Sequence, residues 1–245
     1  AGNTKDVEER KEDRQSGNAA SKAAHAPELD KRLYEPYVTP RWFWETLRII
    51  GIIFILPLIA RIRVRGRHNI PRRGPYIIAS NHLSWTDIPL IPFWIPDRVT
   101  YMAKRELFVG RLGWLVRLLG AFPVKRGEAD RQAMRAASEQ LKKGKIFVIF
   151  PEGTRSKTRT MNKAHAGLGM IALRSEVPVL PVAIWGSEHI FKKFRPEVTI
   201  VYGEPVTFRP QGTKLTREEI DRTTDEIMHR IAAMLPEQYR GVYGV

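Results

Sequence analysis

The sequence predicts an α/β fold: one layered domain with a central mixed sheet flanked by helices, preceded by an N-terminal helical segment that anchors at a membrane interface. Three observations lead there. Past residue 62, short β-rich runs alternate with helical stretches, the pattern of layered α/β domains. Hydrophobic residues make up 43% of 245, enough for one large core. In front of that alternation stands Ile49–Ala60, a run without a charge. The expected division is a disordered charged tail over 1–27, an anchor over 28–61 and a folded domain over 62–245.

Taken in order, residues 1–27 carry Lys5, Arg10, Lys11, Arg14 and Lys22 against Asp6, Glu8, Glu9, Glu12 and Asp13, which cancel. They hold no aromatic residue and, beyond Val7, no branched aliphatic one, too little apolar area to offset the entropy of ordering. They also lack the apolar run of a secretory signal. The anchor follows. Ile49–Ala60 is shorter than the roughly 20 residues needed to span a bilayer, and Gly51 and Pro57 interrupt it. Trp42, Phe43 and Trp44 flank one end; Arg61, Arg63, Arg65 and Arg67 flank the other. Aromatic rings at headgroup depth and arginines reaching for phosphates suit an interfacial or re-entrant segment, with Trp42, Trp44, Arg61, Arg63 and Arg65 as its membrane contacts. A buried core helix is the competing reading, but it has no need of a cationic collar. The collar alternates Arg with Ile and Val, so it reads as a strand with one arginine face.

Strands are then predicted at Tyr76–Ser80, Val99–Ala103, Ile146–Phe150, Val179–Trp185 and Val198–Tyr202. Helices are predicted at Ala129–Lys143, stopped by Gly144, and at Arg217–Leu235, with Ile220, Ile227, Met228, Ile231 and Leu235 in register. Leu107–Phe122 places Phe108, Leu112, Leu115, Leu118 and Leu119 on one face, which fits core packing and, equally, a shallow membrane contact or an acyl-chain wall. Gly167–Ala172 matches a dinucleotide-loop spacing but does not follow a strand directly, so it reads as helix packing.

Charge narrows the partner. Lys and Arg number 41 against 26 acidic residues, a net +15 that falls wholly within 28–245. The partner is therefore anionic: nucleic acid, a lipid surface or a phosphorylated substrate. With no cysteine, disulfides, thiolate nucleophiles and cysteine metal sites are excluded, and no histidine spacing proposes a metal.

The sharpest motif is Ser80-Asn81-His82-Leu83-Ser84-Trp85-Thr86-Asp87, directly after a β run. His82 and Asp87, five apart, would not meet on one continuous helix. They meet if a helix starts between them, as the Ser84-x-x-Asp87 signal suggests; Pro89 fits that register poorly, which leaves a cap at Asp87 as a second register. In either, the carboxylate can orient the imidazole and raise its basicity. A capping Asp beside a structural His is the plainer alternative. No G-x-S-x-G elbow accompanies the pair, so direct activation of a substrate hydroxyl suits it better than a covalent acyl-enzyme. Phe150-Pro151-Glu152-Gly153-Thr154-Arg155-Ser156 follows another β run. Its glycine allows close approach, its hydroxyl and guanidinium suit phosphate, and Glu152 would orient one of them. Lys125 and Arg126 in Gly120–Gly127, read as a turn, and Lys104 and Arg105 add cations after strands. Singly such loops are solvated surface; together they suggest a phosphate pocket.

These blocks resemble the glycerolipid acyltransferases, specifically the 1-acyl-sn-glycerol-3-phosphate acyltransferases. NHLSWTD (81–87), GAFPVKRG (120–127), FPEGTRS (150–156) and VPVLPVA (177–183) occur in the family's order, and the likeness runs over roughly residues 62 to 244. The resemblance implies that His82 is the general base on the sn-2 hydroxyl and Asp87 its relay partner. The hydroxyl would attack the thioester of acyl-CoA or an acyl carrier protein, a co-substrate, with no other cofactor and no metal. It further implies that Lys125, Arg126, Glu152, Gly153, Thr154 and Arg155, with Lys104, bind the glycerophosphate of lysophosphatidic acid, and that Val177–Val182 shape the acyl or acceptor site. A membrane-associated, monotopic or peripheral enzyme on the cytoplasmic side of a bacterial inner membrane is the expected setting. Two rivals stand beside it. One changes the acceptor to glycerol-3-phosphate, another lysolipid or a lyso-ornithine lipid. The other is a non-enzymatic anionic-lipid binder, which would need no His/Asp pair. A nucleic-acid protein is disfavoured because no reading element is present.

Overall fold

The computed structural model describes residues 41–108, 113–114, 116–117, 120–124 and 131–244. The charged tail expected over 1–27 lies outside the described residues. Seven strands pair into one sheet: β1 (Arg61–Arg65), β2 (Tyr76–Ser80), β3 (Val99–Lys104), β4 (Ala121–Val124), β5 (Ile146–Ile149), β6 (Val179–Trp185) and β7 (Glu197–Tyr202). Their order across the sheet is β1-β7-β6-β2-β5-β3-β4. From β6 to β4 all neighbours are parallel; β7 runs antiparallel to β6, and β1 runs parallel to β7. The sheet is thus mixed, as expected. The single reversal has a geometric result. The carboxyl ends of β2 to β6 and the amino ends of β1 and β7 meet along one rim, with Trp185 beside Thr199 and Arg61 beside Glu197.

Helices surround the sheet; those with bounds among the described residues are α1 (Arg41–Ile50), α2 (Leu56–Ile59), the single turn α3 (Asp87–Leu90), α4 (Arg131–Lys142), α5 (Gly167–Ser175) and α6 (Arg217–Met234). The central strand β2 is buried at every position, which is why its sequence is a continuous apolar run rather than an alternation. Tyr76 and Ile78 face a core with Val148, Val182, Ile200, Leu90, Ile91 and Leu56. On the remaining sides α4 packs on β3 and β5, α6 packs on β6, and α5 packs against both helices. The predicted α6 stripe is confirmed by burial of Ile227, Met228, Ile231 and Leu235, and Thr216 caps it by accepting the Glu219 N–H at 3.2 Å. Gly167–Ala172 is helical, as read: a Cβ on Gly169 would lie 2.2 Å from the Ile220 carbonyl oxygen.

Three expectations are corrected. Ala121–Val124 is an edge strand beside β3, not a turn between glycines. Gly51 and Pro57 do not break the anchor. A π turn, Gly51–Ile55, carries α1 into α2, and Gly51 lets the Phe93 ring approach to 2.5 Å of where a Cβ would stand. Trp42–Ile59 is consequently a helix long and apolar enough, by length and composition, to cross a membrane; at 1.5 Å per residue it measures about 27 Å. Only 17% of it is buried, unlike a core helix. The third correction concerns its faces. Trp42 is exposed, whereas Trp44 is buried beside Ile88, Pro89, Phe93 and Tyr101, so the protein rather than a lipid surface receives that ring. Of Leu107–Phe122, the described parts show Phe108 half-buried under the Arg117 guanidinium and Trp114 exposed.

Candidate active site

Ser80 ends β2, and the chain leaves the sheet at Asn81. The Asn81 side chain substitutes for a strand residue there: its Nδ2 donates to the Ile184 carbonyl (2.8 Å) and its Oδ1 accepts the Ile184 N–H (2.9 Å). This clasp lets the backbone turn while the β2–β6 seam stays closed. His82 follows at the carboxyl rim, nearly buried, its ring stacked on Phe150 with centroids 4.1 Å apart. Five residues on, Asp87 is the first residue of α3 and wholly buried.

The carboxylate folds back on the segment before it. Asp87 Oδ2 lies 3.0 Å from His82 Nδ1 and accepts the N–H groups of Leu83 and Ser84, each at 2.7 Å. The helix begins at Asp87 with Thr86 at its N-cap, so Asp87 lies in the first turn but neither Ser84 nor Asp87 caps it, which corrects both registers. Ser84 does not cap it; its hydroxyl accepts the Thr86 N–H at 3.3 Å and the Thr86 hydroxyl proton at 2.9 Å. As an ionised carboxylate only accepts, His82 Nδ1 carries the proton and Nε2 holds the lone pair. Two tyrosines brace this segment from the sheet: Tyr101 donates to the Ile88 carbonyl at 2.9 Å and Tyr202 to that of Ile91 at 2.5 Å. Burial pushes both phenols well above their ordinary range, so they remain donors.

The loop after β5 closes on His82 from the other side. Ser156 N–H donates to the His82 carbonyl at 2.9 Å, and Glu152 Oε1 accepts the His82 N–H at 3.1 Å. Glu152 Oε2 takes the backbone and side-chain N–H groups of Asn162 at 2.9 and 3.0 Å. Expected to orient a phosphate-binding donor, Glu152 instead has both oxygens engaged in tying the loop to His82 and Asn162. Desolvation raises its pKa, partly offset by the bonds from Asn162 and His82. Gly153 has φ +68°, and a Cβ there would meet the His165 ring at 2.9 Å, so the turn itself requires glycine. Past that turn Thr154 and Arg155 are exposed, with no hydrogen bond or ion pair to another described residue. Lys104 ends β3 at the same rim, while Lys125 and Arg126 lie outside the described residues.

Arg61, Arg63 and Arg65 form the exposed face of β1, and Arg63 pairs with Glu197 at 2.9 Å. The sequence reading did not find Asn162 or Phe150 as supports of the site. Nothing in a loop asparagine ten residues after Glu152 signals its role; Phe150 carried one signal, its position as the residue where β5 gives way to the loop.

A layered α/β domain whose strand-end loops converge on a buried His/Asp pair defines the class, an acyltransferase. A family model described as Acyltransferase matches residues 61–185, just over half of the chain, and the chain belongs to that family. It is 31% identical over 227 residues to a 1-acyl-sn-glycerol-3-phosphate acyltransferase of Pseudomonas aeruginosa, covering 88% of this chain and 84% of that one. A lyso-ornithine lipid O-acyltransferase of the same organism is 38% identical over 125 residues, 50% of this chain and 46% of the other. The crystal structure of the 1-acyl-sn-glycerophosphate (LPA) acyltransferase from Thermotoga maritima superposes with a TM-score of 0.61 at 28% identity, covering 90% of this chain and 89% of that one.

Proposed function

We propose that the protein transfers an acyl group from a thioester, acyl-CoA or acyl carrier protein, to the sn-2 hydroxyl of 1-acyl-sn-glycerol-3-phosphate, forming phosphatidic acid. The observation that carries the reading is the His82–Asp87 pair at 3.0 Å, with its carboxylate held by two backbone amides. His82 Nε2 takes the hydroxyl proton as the oxygen attacks the thioester carbonyl. Asp87 stabilises the imidazolium, which returns the proton to the departing thiolate as the C–S bond breaks. No acyl-enzyme forms. Arg155 and Thr154, with Lys104, Lys125 and Arg126, hold the phosphate, since forked and point cations suit a phosphomonoester. Glu152 and Gly153 serve that site by shaping its loop.

The exposed apolar side of Trp42–Ile59 lies in the interface of a membrane, and the arginines that follow bind its headgroups. Their clustering at the catalytic end of the helix favours the cytoplasmic leaflet of a bacterial inner membrane. A second acceptor, a lyso-ornithine lipid, is favoured by the likeness to the lyso-ornithine lipid O-acyltransferase, which covers half of the chain. The test is acyl transfer to each acceptor in vesicles, wild type beside His82→Ala. We expect phosphatidic acid from the wild type and a fall in kcat of about 10²–10⁴ for the variant. Equal rates for both proteins would remove His82 from its role; product only from the ornithine lipid would change the acceptor.

A further inference from the structure

The segment between β6 and β7, residues 186–196, crosses the carboxyl rim next to the His82–Asp87 loop. Ile190 pins it into the core, while Phe191 and Phe194 are 69% and 93% exposed. Phe191 stacks on Trp85, itself 55% exposed, with centroids 5.8 Å apart and planes within 5°. Trp85 stands between His82 and Asp87 in the chain, so the aromatic cluster is built partly from the catalytic loop. Lys192, Lys193 and Arg195 are exposed among these rings, with no acidic residue from 189 to 195. The backbone holds this display in an unusual conformation, with φ +65° at Phe191 and +46° at Arg195, and both Lys192 and Lys193 N–H groups bond to the His189 carbonyl. A soluble surface has no use for a stacked pair of exposed rings with a third protruding from the same segment.

We infer that residues 189–195 and Trp85 form a second membrane contact, which seats the mouth of the active site on an anionic lipid surface. The inference rests on the interfacial setting proposed above and adds a site to it. Two observations select lipid. First, Arg61 N–H bonds to the Pro196 carbonyl at 2.9 Å, so the end of the Trp42–Ile59 helix and this segment meet at one place, and the patch continues the surface that helix offers. Second, Phe194 protrudes alone. A bilayer accepts such a ring without a complementary pocket, whereas a folded acidic partner would have to supply one. Rings at headgroup depth with lysines and arginine around them match the chemistry of an interface.

The chain has no cysteine, so Phe194→Cys in this chain takes a polarity-sensitive fluorophore at one place. Lys142→Cys, exposed before the amino end of β5 and so at the opposite rim, is the reference. Vesicles of equal parts phosphatidylglycerol and phosphatidylcholine carry a nitroxide on the phosphatidylcholine chain. We expect both proteins to sediment with the vesicles and only the label at 194 to shift to the blue and be quenched. Lys192→Ala/Lys193→Ala in the Phe194→Cys background should weaken this partition roughly fivefold per lysine. Phe191→Ala/Phe194→Ala should lower the transfer rate to vesicle-borne acceptor while leaving the rate on a dispersed short-chain acceptor unchanged. A protein that sediments while its 194 label stays as aqueous as that at 142 overturns this contact but not the membrane setting; one that does not sediment overturns both. Equal loss on both acceptors, or a shift caused only by added acyl carrier protein, also overturns it, the latter in favour of a docking site for that acidic protein.

Discussion

Replacing Asp87 by asparagine separates the charge of the carboxylate from its shape. All three bonds converge on Oδ2, while Oδ1 is buried without a partner. An asparagine can therefore place its oxygen at the Oδ2 position and its amide nitrogen at the Oδ1 position. The Leu83 and Ser84 amides keep their acceptor and His82 keeps its tautomer; what is lost is the negative charge. Bonds to a charged acceptor contribute roughly 1.5–3 kcal/mol and neutral ones roughly 0.5–1.5. The imidazole bond strengthens as the ring takes up its proton, so about 1–2 kcal/mol of this loss falls on the transition state, roughly 5–30-fold in kcat. Asp87→Ala differs, because it leaves the two amides without an acceptor at about 1–3 kcal/mol each. Steady-state thiol release and thermal melts on wild type, Asp87→Asn, Asp87→Ala and His82→Ala test the scheme. It is refuted if Asp87→Asn is as slow as His82→Ala, or if Asp87→Ala melts with the wild type.

Arg155→Ala should raise the KM for a phosphorylated acceptor about 10–150-fold with kcat nearly kept, as loss of one charge-assisted contact requires; a change confined to kcat would contradict a binding role. Glu152 binds its proton more tightly folded than unfolded, so its contribution to stability is greatest below the ordinary glutamate pKa and declines as pH rises through the raised folded value. Urea unfolding of wild type and Glu152→Gln should accordingly show the wild type gaining on the variant as pH is lowered from neutrality, and the opposite slope would count against it. Gly169→Ala pushes a methyl group onto the Ile220 carbonyl and should cost about 1–3 kcal/mol, a fall in Tm of roughly 3–10 °C, without altering the acceptor KM.

What the sequence disclosed depended on how local the cause was. β2 and β6 were legible to their end residues because each is a buried apolar run that a proline precedes, Pro75 or Pro178, and that Asn81 or Gly186 follows. β4 escaped because four residues containing Pro123 look like a turn; an edge strand tolerates proline since one of its sides needs no donor. Gly51 and Pro57 read as breakers on intrinsic preference, yet the Phe93 ring fills the space over Gly51 and the π turn absorbs the irregularity. The burial of Trp44 depended on which side of the helix meets residues 88–93, a tertiary fact. In the site, the meeting of His82 and Asp87 followed from their spacing and a nearby strand end. The task of Glu152 did not, because its partners are backbone amides at His82 and Asn162, which no side-chain pattern announces.

The bonds from Glu152 and Ser156 to the two backbone groups of His82 have a bearing on engineering. The FPEGTRS loop holds the exposed Arg155, proposed above to meet the acceptor, which makes it an attractive cassette to exchange for another headgroup preference. Its inner half, though, is the scaffold of His82. A transplant that moves Glu152 or Ser156 by a fraction of an ångström shifts the imidazole with it, so a graft would trade turnover against selectivity. Only Thr154 and Arg155, past the glycine turn, are open to redesign without retuning the base.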